Sequence, residues 1–470
     1  MKRYKRILIL LGVLAVACAA TFAVSRYEEY KEEIANSDEV ILEIPTDSVT
    51  TLSWTIGDET LAFHKDENWL YDEDEAFPVD NEKIESLLSE FSEFGVSFII
   101  ENVEDYGQYG LDDPECTIDI AAAGQSYEIK LGDFSQMDEQ RYVDIGDGNV
   151  YLVSTDPMDA YDVELSDLIL NDEIPAFDEV SHITFAGAES YTVTYEEDSG
   201  KSYSDDDVYF NPEGQPLDTS LVNSYLTDLS GVDLSEYVTY NATDEELEEY
   251  GMNDPELTVT VDYTTTDEND EEVYGTVVVS IARAPDDRAT LETASDDEDE
   301  ETDASDITAY LRVGESQIIY RLSGDDFTAL MDASYDVLRH QQVFWGDFDT
   351  VTQVDVTLEG ESHTLTASGE GDDRTWSYNG SEVDLTDFTD ALEALTADRF
   401  TQEAAAGQEE ISLTLHLDND SFPTVNIQLT RYDGELCLAS VDGESVCLVS
   451  RADAMDLVEA VQTIVLGQSE

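Results

Sequence analysis

The sequence predicts an α+β protein with three related repeats, each an antiparallel β-sheet with one amphipathic helix, placed after an N-terminal transmembrane helix. Two observations carry this prediction. Polar and apolar residues alternate with a period of two in many short segments, as in strands with one buried and one solvated face. The phrase Tyr-Gly-x-x-Asp-Pro-Glu, followed by such a strand, occurs twice, beginning at Tyr109 and at Tyr250. Repetition of this kind indicates that one structural unit is used more than once.

Composition and charge exclude several classes of protein. The chain has 470 residues, which is long enough for several domains, and 41% of them are hydrophobic, which argues against global disorder. Only 20 Lys and Arg stand against 111 Asp and Glu, so the formal net charge is −91. A surface of this sign repels phosphate backbones, so no nucleic-acid partner is expected. A solvated acidic face is the first interpretation of this charge, and a polycation or metal partner is the second.

The N-terminus has the pattern of a membrane segment. Residues 1–6 form a basic tip, residues 7–24 are uncharged and apolar, and residues 25–45 form an acidic juxtamembrane linker. A helix over residues 7–24 would be roughly 27 Å long, close to the thickness of a bilayer core. Because positive residues stay in the cytoplasm, we expect a single-pass protein of the cell membrane whose bulk is extracytoplasmic.

Two interpretations of this leader remain open. The favoured one is an uncleaved signal anchor, and the alternative is a cleaved signal, either an ordinary one or a lipoprotein signal anchored at Cys18. Ala15 stands where a lipobox usually has Leu, and the apolar run continues beyond Cys18 to Val24. Each interpretation predicts export.

Three modules are predicted after the linker, at residues 46–178, 179–345 and 346–470. Each opens with two strands, aromatic residues around a turn and an amphipathic helix, and continues with further strands and a closing helix. We interpret the aromatic residues as core packing. The second module carries an acidic insertion at about 264–306, interpreted as a solvated loop. The apolar helix faces are Ile84, Leu87, Leu88, Phe91 and Phe94; Leu221, Val222, Tyr225, Leu226 and Leu229; and Phe388, Leu392 and Leu395.

The repeated phrase is interpreted as a helix end that leads into a strand. Thr243 is a good N-cap, and Glu246 completes a capping box with it. Gly251 fits the left-handed position after the last turn, and Pro255 prevents the helix from continuing. In the first copy the cap, the stop and the breaker are Asn102, Gly110 and Pro114. The phrase therefore predicts a structural joint used twice, and not a duplicated catalytic loop.

A hairpin near the C-terminus contains two cysteines, Cys437 and Cys447, on either side of Asp442-Gly443. If the loop has three residues and a bulge, Cys437 faces Cys447 and a disulfide can form in an exported protein. If the turn has two residues, the partners slip by one and the bond cannot form.

Sequence motifs point to no catalytic, cofactor-binding or metal-binding residue. The chain has no zinc pattern, no Gly-x-Ser-x-Gly elbow and no EF-hand order. Its five histidines are scattered and are interpreted as packed or surface residues. A carboxylate pair suited to glycoside hydrolysis cannot be located among 111 acidic residues from spacing alone.

The segment LSW…ETLAFHKDENWLY…FPVD…KIESLLS, followed by YGLDDP, resembles the bacterial family called domain of unknown function 4340. The resemblance is strongest over residues 49–178, recurs in the second module through YGMNDP and fades in the third. It implies a membrane-anchored protein without an established activity. Association of some members with ABC-type transport or gliding-type gene clusters implies an accessory role beside a transporter.

Our first expectation is a non-enzymatic, membrane-tethered binding or scaffold protein of the cell envelope, with an envelope partner such as an ABC-type transporter. One alternative is an envelope hydrolase with two inward carboxylates in a deep pocket. Another is a cation-dependent adhesion protein, which calcium would stabilise against heat.

Overall fold

The computed structural model describes residues 39–153, 155–266, 271–288, 307–369, 374–404 and 406–466. The predicted basic tip, the segment 7–24, most of the linker and residues 289–306 of the acidic insertion lie outside this part of the chain. Among the described residues, no helix combines the length and the apolar character needed to cross a bilayer. The chain divides into two compact units, Met1–Asn171 and Asp172–Glu470, and the predicted module boundary at 345/346 falls inside the second.

The first unit contains an eight-stranded antiparallel sheet, which we call the first sheet. Its strands in spatial order are β4 (Trp69–Tyr71), β3 (Glu59–Lys65), β2 (Val49–Ile56), β7 (Cys116–Ala122), β8 (Gln125–Ser135), β9 (Gln140–Asp144), β10 (Val150–Val153) and β6 (Phe98–Ile100). The other elements are the pair β1 (Glu39–Leu42) and β5 (Phe94–Val96), and the helices α1 (Asn81–Ser89) and α2 (Met158–Tyr161).

The second unit contains two further antiparallel sheets. The second sheet runs β13 (Tyr209–Phe210), β12 (Ser190–Tyr195), β11 (Glu179–Gly187), β15 (Leu257–Thr266), β16 (Glu272–Arg283), β17 (Ala309–Val313), β18 (Ile319–Leu322) and β14 (Tyr237–Thr239). Its helices are α3 (Thr219–Ser230), α4 (Asp244–Glu249), α5 (Gly324–Met331) and α6 (Tyr335–Leu338). The third sheet runs β22 (Ser381–Val383), β21 (Thr375–Tyr378), β20 (Glu361–Ser368), β19 (Val351–Leu358), β24 (Glu409–Leu417), β25 (Thr424–Arg431), β26 (Leu436–Val441), β27 (Glu444–Ser450) and β23 (Ala397–Phe400), with helices α7 (Thr386–Glu393) and α8 (Arg451–Leu466).

The three sheets follow one strand order. In each sheet the chain first forms a hairpin and a short edge strand, and a helix follows. The next strand lies at the opposite edge of the sheet. Four further strands then fill the space between the hairpin and that opposite edge. The third sheet differs by one added edge strand, β22. The prediction of a β-rich chain with antiparallel sheets and helices is thereby confirmed.

Three helices, one beside each sheet, begin just after an aspartate. The carboxylate of Asp80 accepts backbone N–H groups at the start of α1, and that of Asp218 does the same for α3. Asp384 accepts the backbone N–H of Thr386 at the start of α7. Such caps satisfy N–H groups that the helix cannot bond internally. The predicted apolar faces lie in the core, apart from the half-buried Leu221.

Candidate functional site

The second copy of the repeated phrase ends a short helix. The Thr243 hydroxyl accepts the Glu246 backbone N–H at 3.3 Å, and the Glu246 carboxylate accepts the Thr243 backbone N–H at 2.8 Å. Gly251 has φ +76°, and the next residue, Met252, donates its backbone N–H to the carbonyl of Leu247. Together these bonds form a capping box at the start of α4 and a left-handed stop at its end.

The first copy forms a 3₁₀ helix over Tyr106–Tyr109. Its cap is Asp105 and not Asn102, because the Asp105 carboxylate accepts the Gly107 backbone N–H at 3.2 Å. Gly110 takes φ +73° at the end of this turn. Pro114 and Pro255 each stand two residues before a strand, with one glutamate between, since β7 begins at Cys116 and β15 at Leu257.

Replacing Gly110 by alanine tests the joint. An alanine Cβ there would lie 2.7 Å from the backbone nitrogen of Asp133, in addition to the strain of φ +73°. Gly146 has a similar φ of +80° but open space around it, so Gly146→Ala reports the strain alone. We expect Gly146→Ala to cost about 1–2 kcal/mol and Gly110→Ala to cost about 1–3 kcal/mol more. Urea unfolding measures both, and equal losses would contradict the close approach.

The glutamate that ends the repeated phrase binds an arginine in both copies. The Arg141 Nη1 lies 2.6 Å from the Glu115 Oε2, and the Arg283 Nη2 lies 2.5 Å from the Glu256 Oε1. Nothing in the sequence around these residues predicts the ion pairs. The available signal was the repetition of Glu after Pro in a chain with few basic residues.

The arginine of each pair is largely buried. Arg141 is 6% exposed, and it also binds Asp156 at 2.6 Å and the Gly132 carbonyl. Burial raises the pKa of Glu256, but hydrogen bonds and charge from Arg283 lower this pKa by more than burial raises it. The pKa of Glu256 therefore lies below its ordinary value. The Glu256 pair therefore stabilises the fold above the pKa of an unfolded glutamate, and its contribution is lost as the pH falls through the lowered pKa.

The two C-terminal cysteines are free and buried. The turn between β26 and β27 has two residues, Asp442 and Gly443, because Val441 pairs with Glu444. A register shift between Ala439 and Ser440 then places Cys437 opposite Val449, while Cys447 stands opposite Ala439. The two-residue turn is the alternative for which the sequence predicts no disulfide.

One histidine joins a buried polar cluster. The His340 Nε2 lies 2.8 Å from the Asp207 Oδ1, and its Nδ1 lies 3.5 Å from the Asp218 Oδ2. The Ser202 hydroxyl donates to the other oxygen of Asp207 at 2.5 Å, and the Trp345 indole donates to the same oxygen at 3.1 Å. The His340 and Trp345 rings stack with centroids 4.7 Å apart. We call these five residues the Asp207 cluster.

The Asp207 cluster contains Ser, His and Asp, the residue types of a catalytic triad, but they are hydrogen-bonded in a different order. The Ser202 hydroxyl bonds Asp207 and not His340, so the ring has no nucleophile to deprotonate in this arrangement. The cluster instead ties the segment before β13 to the segment before β19. The remaining histidines bond Asp72, Ser181, Tyr378 and Asp355. Within the described ranges, no group of three or more His, Cys, Asp or Glu is placed to hold a metal ion.

Two clefts lie between a helix and the edge of its sheet. The sheet-2 cleft, of about 470 Å³, is lined by Phe177, Tyr195 and Tyr209 together with Asp178 and Glu179. Burial, followed by the charge of Tyr195, raises the pKa of Tyr209 to about 12.

The sheet-3 cleft, of about 580 Å³, lies beside α7 in the corresponding place. Its lining includes Phe348 and Trp376, with Arg374, Glu382 and Asp384 as its charged groups. A cavity of about 970 Å³ in the first unit lies at the other end of the first hairpin, where Trp54 and Tyr71 meet acidic side chains. Aromatic rings beside carboxylates are therefore a recurring surface of this chain.

Comparison with known proteins identifies a family. The family model described as domain of unknown function (DUF4340) matches residues 69–213 and 208–414. The first match begins at β4 and the second just before β13, which hold the same position in their sheets. Neither the curated proteins nor the solved structures gave a match. Because the two matched segments together span well over half of the sequence, the chain belongs to the DUF4340 family.

Proposed function

We propose that this chain is a non-enzymatic binding or scaffold protein of the cell envelope, tethered to the membrane and carrying its folded part outside. The observation that carries the proposal is the pair of clefts in the second and third sheets. Aromatic residues line both clefts at equivalent positions of the two sheets, while the charged residues of the two clefts differ. A duplicated catalytic centre would need the same polar groups twice, whereas binding sites commonly combine a shared aromatic surface with varied polar groups.

We further propose three related repeats at 46–178, 179–345 and 346–470. The common strand order of the three sheets supports this division. Further support comes from the family matches, which begin at equivalent edge strands. Consecutive modules with the same strand order are suited to a protein that presents several contact surfaces.

The proposed location outside the membrane rests on the basic residues 1–6 and the apolar residues 7–24. The net charge of −91 agrees with exposure to water and with an envelope partner that presents cations. An ABC-type transport system is the partner that the family resemblance favours.

A protease-protection experiment tests the location. We expect a protease added to intact spheroplasts to remove a C-terminal tag from the full-length chain, and the chain to remain in the membrane fraction. The variant Cys18→Ala distinguishes a lipoprotein from a signal anchor. A lipoprotein loses the cysteine that carries its lipid anchor, whereas a signal anchor keeps its apolar helix. Cross-linking in membranes followed by mass spectrometry then identifies the partner. A tag that becomes accessible only after the membrane is lysed would contradict the proposal.

A further inference from the structure

We propose that the sheet-2 cleft binds a guanidinium or alkylammonium group. The proposal goes beyond the function proposed above, which names no ligand, and it holds wherever the chain is located. The cleft combines the aromatic side chains of Phe177, Tyr195 and Tyr209 with the carboxylates of Asp178 and Glu179. Organic cations bind the faces of aromatic rings, and nearby carboxylates strengthen that attraction.

The aromatic part of the cleft is held in place by its neighbours. The Tyr209 hydroxyl donates to the side-chain oxygen of Asn223 at 3.2 Å, and the Tyr195 and Tyr209 rings meet at 69° with centroids 5.6 Å apart. Phe177 packs on Tyr263 in a similar edge contact at 5.4 Å. Tyr195 remains 40% exposed, so one ring of the set is open to a ligand.

The electrostatic surroundings of this open ring are negative. Burial raises the pKa of the Tyr195 hydroxyl, and the charges of Glu197, Glu179 and Asp198 raise it further. Asp178 is fixed by the hydroxyl of Thr266, which donates to its Oδ2 at 2.9 Å. Negative charge therefore surrounds the exposed ring.

In the third sheet, the corresponding cleft contains a guanidinium group. There the guanidinium of Arg374 lies 5.2 Å from the centroid of the Trp376 ring, and the Arg374 side chain is only 12% exposed. The same guanidinium donates to the backbone carbonyls of Asp349 and Val351 and lies 3.4 Å from the Asp349 carboxylate. The chain therefore fills this aromatic and acidic corner with a guanidinium of its own.

The two clefts are built at the same register of their sheets. Each begins with the phrase Phe-Asp-x-Val, at Phe177 in the second sheet and at Phe348 in the third, and the strand pairing shifts just after the Val in both. One hairpin later, Tyr209 pairs with Tyr195, and Trp376 holds the corresponding place in β21. A Phe, the acidic residue after it and an aromatic residue of the next edge strand thus hold corresponding places in the two sheets.

The two clefts differ in whether the chain supplies a cationic residue. Two residues before Trp376 stands Arg374, whereas two residues before Tyr209 stands Asp207, whose carboxylate turns away to bond His340. Among the described residues that line the sheet-2 cleft, the charged ones are acidic. The same corner is therefore suited to a guanidinium or ammonium supplied by another molecule. Two sources share this chemistry: a Lys or Arg side chain of a partner protein, and a small diffusible amine.

Binding can be measured with the full-length chain in a non-ionic detergent at fixed ionic strength. The probe is acetyl-arginine amide, and the matched neutral probe is acetyl-citrulline amide, which has nearly the same shape without the charge. We expect calorimetry to detect one site for the arginine probe and none for the citrulline probe. Asp178→Asn and Tyr195→Leu should each weaken arginine binding at least fivefold. The matched control is Asp205→Asn, which removes the same charge from an exposed position outside the lining and should change affinity less than twofold.

A second variant tests the comparison between the sheets. Arg374→Ala removes the internal guanidinium, and we expect it to raise the stoichiometry of arginine binding from one to two. A basic peptide that binds more than tenfold tighter than agmatine would identify a partner protein as the source, whereas equal affinities would identify a small amine. Equal losses in Asp178→Asn and Asp205→Asn, or equal binding of the arginine and citrulline probes, would overturn the proposal. So would a stoichiometry that stays at one in Arg374→Ala.

Discussion

Replacing Asp207 by alanine is expected to lower the free energy of unfolding of the second unit by about 3–5 kcal/mol. The Asp207 side chain is 2% exposed and accepts hydrogen bonds from Ser202, His340 and Trp345. Its removal leaves these donors buried without their acceptor, and the desolvation cost of each is then uncompensated. Urea unfolding followed by tryptophan fluorescence measures the loss.

The control for this prediction is Asp205→Ala, two residues earlier in the chain. Asp205 is exposed, so its replacement should change stability by less than about 0.5 kcal/mol. Asp207→Asn keeps the shape and one acceptor oxygen, and we expect it to fall between the two. A loss in Asp207→Ala no greater than that in Asp205→Ala would show that the Asp207 cluster does not hold the second unit together.

Replacing Arg141 by leucine is expected to destabilise the first unit by about 3–5 kcal/mol, because it leaves Asp156 as an unpaired, largely buried carboxylate. The Asp156 side chain is 12% exposed, and Arg141 is its ionic partner at 2.6 Å. The Gly132 carbonyl loses its donor at the same time. Thermal unfolding monitored by circular dichroism measures this effect.

Two further variants separate burial from charge. Lys130→Leu removes an ion pair with Glu128 at 2.9 Å, but the Lys130 side chain is 34% exposed, so the expected cost is only about 0–1 kcal/mol. Adding Asp156→Asn to Arg141→Leu should restore part of the lost stability, since the unpaired charge is then gone. If the double variant is no more stable than Arg141→Leu alone, the buried charge is not the cause.

Local patterns in the sequence predict the features that neighbouring residues determine. The helix faces, the capping residues Thr243 and Glu246 and the left-handed Gly110 and Gly251 depend on residues a few positions apart. The cap of the first copy was missed because Asp105, closer to the turn, competes with Asn102 and holds the N–H of Gly107.

Contacts between distant segments escape this kind of reasoning. His340 and Asp207 are 133 residues apart, and nothing in the neighbourhood of either residue indicates the other. The aromatic residues of the edge strands were interpreted as core packing, which describes Tyr209, 5% exposed, but misses the open side of the cleft. That side appears only when the sheet brings Tyr195 beside the segment that begins at Phe177.

The strand order also has a practical consequence for dissecting the chain. In the first sheet β2 is a central strand that pairs with β3 on one side and with β7 on the other. An expression clone cut at the family match, residues 69–213, would discard β2 and β3 and retain β11 to β13 without β15. Such a fragment would leave β4, β7 and β11 without a strand partner on one side. Unpaired strand edges are templates for aggregation. Clones that begin before Val49 keep the first sheet whole.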